Sequence, residues 1–370
     1  MTSMSPFRRL RVCALATTLC LALVAPAIAA GGAKKPTAST KDYDYYLTGS
    51  TSSTLPVPTR ANPAPSSLMV LMGGGTDVDE AFRRMVVQTG ATTARPMRFV
   101  VLRATGADGY NPYIPSLADG VGSVETLVVK TAAGASLPFV VDKVNGAHAV
   151  FIAGGDQADY VTLWNGSALE QAIKDAIGAH KPVGGTSAGL AVLGAVDFTA
   201  LKGSVTSAQA LANPYNRTMT LGSDFIEDAP ALAATILDSH FVTRDRLGRL
   251  VCFLARMTKD VGPASLASAR AIGVNEETAL IVHDGQATVV GNCGLAGSVA
   301  TDCNAYFLKP VGTPPGRLLA GQPLDWNSGV LMHRIGQAGG SFDLLNWVPT
   351  GASAQTLSVS NGMLSPAAPY

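Results

Sequence analysis

The run Gly185-Thr186-Ser187-Ala188-Gly189 is the part of this sequence best suited to covalent chemistry. It sets a serine between an apolar stretch and a helix-forming one, flanked by residues small enough for the backbone to turn sharply and leave the hydroxyl exposed. A serine held in such an elbow can attack a carbonyl carbon, and the Ala188 amide, at the start of the following helix, can stabilise the oxyanion that forms. The plainer reading of the same residue is a serine capping its helix.

A hydroxyl needs a neighbouring base, and the histidines are His148, His180, His240, His283 and His333. His148, His283 and His333 lie at the edge of, or inside, apolar strand-like runs, and His180 stands beside Pro182 where the elbow strand begins. Those positions suit structural imidazoles. His240 follows the apolar run 232–237 within Asp238-Ser239-His240-Phe241, and Arg244, Arg246 and Arg249 come next. An imidazole leaving a strand beside dense cationic charge is what a base next to an anionic substrate group looks like. The competing reading has the arginines solvating an amphipathic helix. The acid that orients the imidazole is assigned to Glu276, which precedes the strand-like run 279–282, with Glu277 expected to face solvent. The chain order is then Ser, His, Glu, whereas α/β-hydrolases run Ser, acid, His.

These residues must be positioned by a scaffold, and the pattern from Leu68 onward supplies one. Short apolar runs alternate with longer amphipathic stretches, the signature of βα units and a parallel sheet. Strands are predicted at Leu68–Met72, 99–102, 125–129, Ala149–Ile152 and 181–183, with helices near 77–88, 160–177 and 188–193. Gly73-Gly74-Gly75, Gly154-Gly155 and Gly184-Gly185 follow three of these strands, which places them at the carboxyl edge where ligands bind to such sheets. Neither a P-loop nor a dinucleotide fingerprint accompanies them. Beyond about Asn292 the apolar runs shorten and Gly and Pro increase, as expected of strands and loops completing one domain, 68–370.

The chain has 370 residues, of which 47% are hydrophobic and 14% charged, with a mean hydropathy of +0.24. Charge is well below the usual ~25%, which excludes a disordered chain and suits a sheet buried on both faces. Arg8, Arg9 and Arg11 precede the apolar run 12–24 and then Ala27-Ile28-Ala29, so residues 1–29 are read as a signal peptide and the product as secreted or periplasmic. The apolar run is shorter than the ~20 residues that span a bilayer, and no membrane anchor is expected. Without those three arginines, 24 basic and 26 acidic residues leave a formal −2. Nucleic acid, which selects a basic surface, is therefore not an expected partner. Residues 30–67, rich in Thr, Ser, Pro and Gly, are expected to form a flexible arm, with Tyr43, Tyr45 and Tyr46 as its candidates for docking. Cys293 and Cys303 lie ten apart in a loop-like stretch and could be bridged in an oxidising compartment, while Cys252 reads as buried and apolar. No His/Cys/Asp cluster has metal-ligand spacing, so neither metal nor cofactor is expected.

Four blocks in order, Gly154-Gly155-Asp156-Gln157, Gly185-Thr186-Ser187-Ala188-Gly189, Asp238-Ser239-His240-Phe241 with Arg244-Asp245-Arg246-Leu247-Gly248-Arg249, and Asn275-Glu276-Glu277-Thr278-Ala279, resemble the cyanophycinases among the dipeptidase E-like serine peptidases, family S51. The resemblance extends over most of residues 68–310. It implies an α/β/α sandwich with a mostly parallel central sheet, of the class I glutamine-amidotransferase-like kind. It also implies Ser187 as nucleophile, His240 as base, Glu276 as acid, and the Gly155 and Ala188 amides as the oxyanion hole. Gln157, Asp238, Arg244, Arg246 and Arg249 match the family's substrate-binding positions, and the implied substrate is cyanophycin, a polyaspartate carrying arginine on its β-carboxyls, or a related aspartyl peptide. Ser239 and Asn275 stand where the family usually has glutamine and aspartate. Two rival readings are an α/β-hydrolase-type esterase using Gly73-Gly74-Gly75 and His333, and a binding protein without catalysis. The oligomeric state, a homodimer included, is left open.

Overall fold

The computed structural model describes residues 35–262 and 264–370. The expected signal peptide, 1–29, lies outside them. The first strands are β1 (Ala38–Ser39), β2 (Tyr43–Gly49), β3 (Leu68–Met72), β4 (Met97–Arg103), β5 (Val121–Val129), β6 (Ala149–Ile152), β7 (Val183–Thr186), β8 (Asp197–Phe198) and β9 (Leu221–Gly222). They are followed by β10 (Thr235–Asp238), β11 (Arg270–Val274), β12 (Thr278–His283), β13 (Gln286–Gly291), β14 (Asn304–Pro310), β15 (Trp326–Gly336), β16 (Ser341–Asp343), β17 (Val348–Thr350), β18 (Ser353–Ser360) and β19 (Met363–Ser365). The helices are α1 (Asp79–Gln88), α2 (Tyr110–Leu117), α3 (Pro138–Asn145), α4 (Gln157–Trp164), α5 (Ala168–Gly178), α6 (Ala188–Ala191), α7 (Ser207–Ala212) and α8 (Leu247–Met257).

An eleven-stranded sheet runs β1-β2-β5-β4-β6-β7-β3-β12-β13-β16-β17. Its heart, β5-β4-β6-β7-β3, is parallel throughout. The strands outside that heart are paired antiparallel. All five residues of β3 are buried and alternate between two clusters, Met69 and Leu71 on one face, Leu68, Val70 and Met72 on the other. That is the two-sided burial the low charge content calls for. One face is covered by α1 and α2 through Phe82, Met85 and Ile114. The other is covered by α3 and α5 through Val140, Val144, Leu169 and Ile173. In α5 the buried positions 169, 172, 173, 176 and 177 form a single helical stripe. The expected α/β/α layering is present.

A second sheet, β10-β11-β14-β15-β18-β19, packs its apolar side on α7 and α8. The β10–β11 pair is parallel and the rest antiparallel. The turn Asn275-Glu276-Glu277 carries the chain from β11, in this sheet, to β12, in the large one.

Three local expectations are corrected. The arm 30–67 is not a free linker throughout: β2 pairs with β5 across seven residues, and Tyr45 and Tyr46 are buried. The buried Glu125 explains the docking, since its carboxylate accepts the Tyr45 hydroxyl at 2.7 Å and meets Lys143 Nζ at 2.7 Å. The elbow strand starts at Val183, later than predicted, because Pro182 has no N–H for the ladder and the register to β3 and β6 begins at Val183. The predicted helix 160–177 is two helices, broken where Gly166 takes a left-handed φ of 72° and Ser167 caps α5 by accepting from the Glu170 amide.

Candidate active site

Ser187 sits between β7 and α6 with φ 54° and ψ −113°, a backbone conformation uncommon for any residue but glycine. Close packing holds it there. A Cβ on Gly185 would lie 2.3 Å from the Gly189 carbonyl oxygen, and one on Gly189 would lie 2.0 Å from that of Ile152. Only glycine fits either position, which keeps the elbow tight and the serine at the carboxyl edge. Although Ser187 is the residue before α6, its side chain makes no capping bond, so the capping role is excluded. The hydroxyl instead donates to Nε2 of His240 at 2.6 Å. The His240 Nδ1–H donates to Oε1 of Glu276 at 2.5 Å. An ionised carboxylate only accepts, so this pairing leaves Nε2 free to take a proton from the serine.

The three residues come from both sheets. Ser187 follows β7 of the large sheet, His240 follows β10 of the second, and Glu276 stands on the crossing between them. Backbone bonds close this seam: the His240 amide donates to Gly73 O at 2.7 Å, and the Glu277 amide donates to Gly74 O at 2.8 Å. Gly74, with φ 95°, lies flat against the imidazole, where a Cβ would come within 2.4 Å of the ring. The glycine triplet after β3 is therefore a seat for His240.

Burial holds the His240 imidazole below its ordinary pKa, and the charges of Arg244 and Arg246 push the same way, while the bond to Glu276 opposes them. Glu276 is held below the usual carboxylate range, chiefly by its bond to His240. The resting pair at neutral pH is thus a neutral imidazole and a carboxylate, the form in which a base can accept a proton. Gly155 is exposed in the loop after β6, and Ala188, next to Ser187, is the first residue of α6. Among the described residues neither amide is hydrogen-bonded outside its own element. A Cβ on Gly154 would lie 3.5 Å from the Ser187 Cβ, which brings this loop against the serine.

A family model, Peptidase family S51, matches residues 70–211. This chain is 28% identical over 174 residues to the cyanophycinases of Synechococcus elongatus and Thermosynechococcus vestitus, a match covering 46% of this chain and 48% of each relative. The chain is S51-like. It spans about half the length of the curated relatives it matches. A solved peptidase structure from an acI-B1 Actinobacterium overlays with a TM-score of 0.47 at 17% identity, covering 70% of this chain and 98% of that one. The S51 match includes Gly155, Gln157, Ser187 and Ala188 and ends before His240 and Glu276.

In this S51-like chain the expected substrate positions divide. Asp238 and Arg249 are buried and hold each other, Nε to Oδ2 at 2.8 Å and Nη2 to Oδ1 at 2.5 Å, with the guanidinium beside the stacked rings of Phe198 and Phe253. Their expected role as direct substrate contacts is corrected to that of an internal strut, because a paired charge buried to this extent has no free face. Arg246 donates to the Ser239 carbonyl at 2.9 Å and lies 3.3 Å from Asp238, and burial lowers its pKa to about 10. Arg244 differs. Its side chain is 52% exposed, and its Nε lies 3.8 Å from Glu276. Gln157, the first residue of α4, is half-buried with its amide 3.4 Å from the Phe198 carbonyl.

Glu277 also departs from expectation. It is the more buried of the two glutamates, and its carboxylate accepts the Ser298 hydroxyl at 2.6 Å. Asn275 was legible only as a departure from the family pattern. Its Oδ1 accepts the amides of Val242 and Thr243, at 3.1 and 3.2 Å, and its Nδ2 donates to Asp302 O at 2.8 Å. It thereby ties the loop after His240 to the turn carrying Glu276. Cys293 and Cys303 are bridged, and Cys252 is free and buried.

The esterase reading loses its histidine, because His333 lies in β15 against the Phe342 ring. The remaining imidazoles are structural or exposed: His148 bonds Leu55 O, His180 bonds Ala64 O, and His283 ends β12 at the surface. Among the described residues no group of three or more His, Cys, Asp or Glu could hold a metal ion, and no helix is long and apolar enough to cross a membrane.

Proposed function

We propose that this protein is an exported serine peptidase, cyanophycinase-like, that cleaves cyanophycin or related aspartyl peptides to β-Asp-Arg-type dipeptides. The observation that carries the reading is the continuous chain from the Ser187 hydroxyl through His240 to Glu276, at 2.6 and 2.5 Å. Ser187 Oγ attacks the scissile carbonyl carbon while His240 Nε2 takes its proton. The tetrahedral oxyanion is held by the Gly155 and Ala188 amides. As it collapses, His240 returns the proton to the leaving amine, and water then hydrolyses the acyl-enzyme by the same path. Glu276 stabilises the imidazolium throughout. Arg244, charged and solvent-facing beside this chain, is the residue proposed to bind a carboxylate of the substrate. Export is supported by the charge-and-apolar pattern of residues 1–29 and by the Cys293–Cys303 bridge, which suits an oxidising compartment. The test is incubation of the purified protein with insoluble cyanophycin and identification of soluble products by mass. Dipeptide release by the parent chain and none by Ser187→Ala is the expected result. Equal release by both would remove Ser187 from the mechanism.

A further inference from the structure

Only the first of the two adjacent glutamates touches His240, yet the second is the more deeply held. Glu277 is 2% exposed and has φ 54°, and its carboxylate points into the loop closed by the Cys293–Cys303 bridge. All its polar groups are engaged. Its amide donates to Gly74 O at 2.8 Å, and its carbonyl accepts the Asn292 amide at 2.9 Å. The carboxylate accepts the Ser298 hydroxyl at 2.6 Å and the Val299 amide at 3.4 Å. Among the described residues no cation lies within ion-pair reach of it. A buried carboxylate without a cation is costly, and a neutral side chain could fill the space at lower cost.

The same loop grips the other neighbour of Glu276. Asn275 donates to Asp302 O, while its oxygen holds the amides that follow His240. Residues 292–303 contain neither strand nor helix, and Gly294 and Gly297 take left-handed φ values of 83° and 87°. Without a ladder or helix to order them, they are held by the crosslink, by these bonds, by turns at Asn292–Leu295 and Leu295–Ser298, and by Gln337, which donates to the Cys293 and Cys303 carbonyls at 2.7 and 3.2 Å. The loop thus clamps residues 275 and 277 on either side of the acid.

We propose that Glu277 is a positioning residue which, with the bridged loop 293–303, aims Glu276 at His240, so that turnover depends on the Cys293–Cys303 bond. The inference rests on the serine-peptidase reading above. Dithiothreitol supplies the reversible probe: it reduces the bridge to two thiols and is itself oxidised to its cyclic disulfide.

The test uses the full chain and measures kcat and KM on an aspartyl peptide together with the ¹⁵N shifts of the His240 ring, assigned by comparison with His240→Ala. Glu277→Ala should lower kcat by about 30-fold or more with KM within about threefold, the scale expected when reacting groups are displaced by less than an ångström or so. Glu277→Gln, which keeps an acceptor for Ser298, should recover most of the loss. Ser298→Ala, which removes one loop hydroxyl, makes the same comparison with less disturbance and should cost a few-fold in kcat. Reduced parent protein should fall to the level of Cys293→Ser/Cys303→Ser, which should not respond to reductant. Parent-like kcat in Glu277→Ala, or in protein shown by mass to be fully reduced, would overturn the proposal. If no peptide is cleaved, the peptidase reading fails separately, and the His240 ¹⁵N shifts still decide: movement in Glu277→Ala and on reduction supports the clamp, and unchanged shifts refute it.

Discussion

At the scale of single residues, the chemistry depends on three groups whose removal should have different signatures. Ser187→Ala should lower kcat by at least about 10⁴-fold while leaving the thermal midpoint near that of the parent, since the hydroxyl caps no helix. Glu276→Gln should cost about 10³- to 10⁴-fold, because an amide cannot hold the imidazole in the tautomer that frees Nε2. Arg244 links charge to pH. Burial first, then the charges of Arg244 and Arg246, hold His240 below the ordinary imidazole value, so activity falls as pH drops through that lowered value. Arg244→Ala removes one positive neighbour, which raises the His240 pKa and moves the acid limb of kcat/KM to higher pH. It should also cost about 10- to 100-fold in kcat/KM on acidic peptides, the range of one charged hydrogen bond. A pH–rate profile of the two proteins checks both effects, and a limb that stays put or moves down would contradict the assigned charge coupling.

At the scale of elements, the docking of β2 can be measured. Tyr45→Phe deprives the buried Glu125 carboxylate of one of its two partners and should cost about 1–2 kcal/mol, read as a lower denaturant midpoint at unchanged slope. That strand was not legible as such. Its sequence alternates aromatic and polar residues inside a stretch whose Thr, Ser and Pro content reads as linker, and its partner Glu125 is distant in the chain. By contrast β3 and β6 were legible to the residue, since uninterrupted apolar runs bounded by glycine leave little choice. The elbow was readable from its small residues for the same local reason. Local pattern misplaced Glu277, and the resemblance gave Arg249 a substrate contact that its burial does not allow. Both are charged types that belong at the surface by default; Arg249 is buried against Asp238, eleven residues earlier in the chain, and Glu277 against Ser298, twenty-one later.

At the scale of the whole molecule, one buried acid sets a pH limit on stability. Asp197 is 2% exposed, one of its oxygens has no hydrogen-bond partner, and burial, reinforced by Glu227 and Asp224, raises its pKa well above the usual value. A carboxyl whose folded pKa exceeds the unfolded ~3.9 favours folding most below that value, and its contribution is lost as pH climbs to the raised one. Asp197→Asn removes the proton equilibrium, so its effect on the thermal midpoint should become more favourable as pH rises from ~4 towards the raised value. A difference that is flat with pH would show that Asp197 does not titrate there. The seam has a broader consequence. Nucleophile and base stand on separate sheets, which meet at the site through main-chain bonds at Gly73 and Gly74 and behind it through a shared apolar core in which Phe307 stacks on Phe342, so catalysis gauges the fit between the sheets as well as the integrity of each. In a urea series, turnover should vanish at concentrations where the ellipticity of both sheets is still intact, so the enzyme would fall silent well before it comes apart.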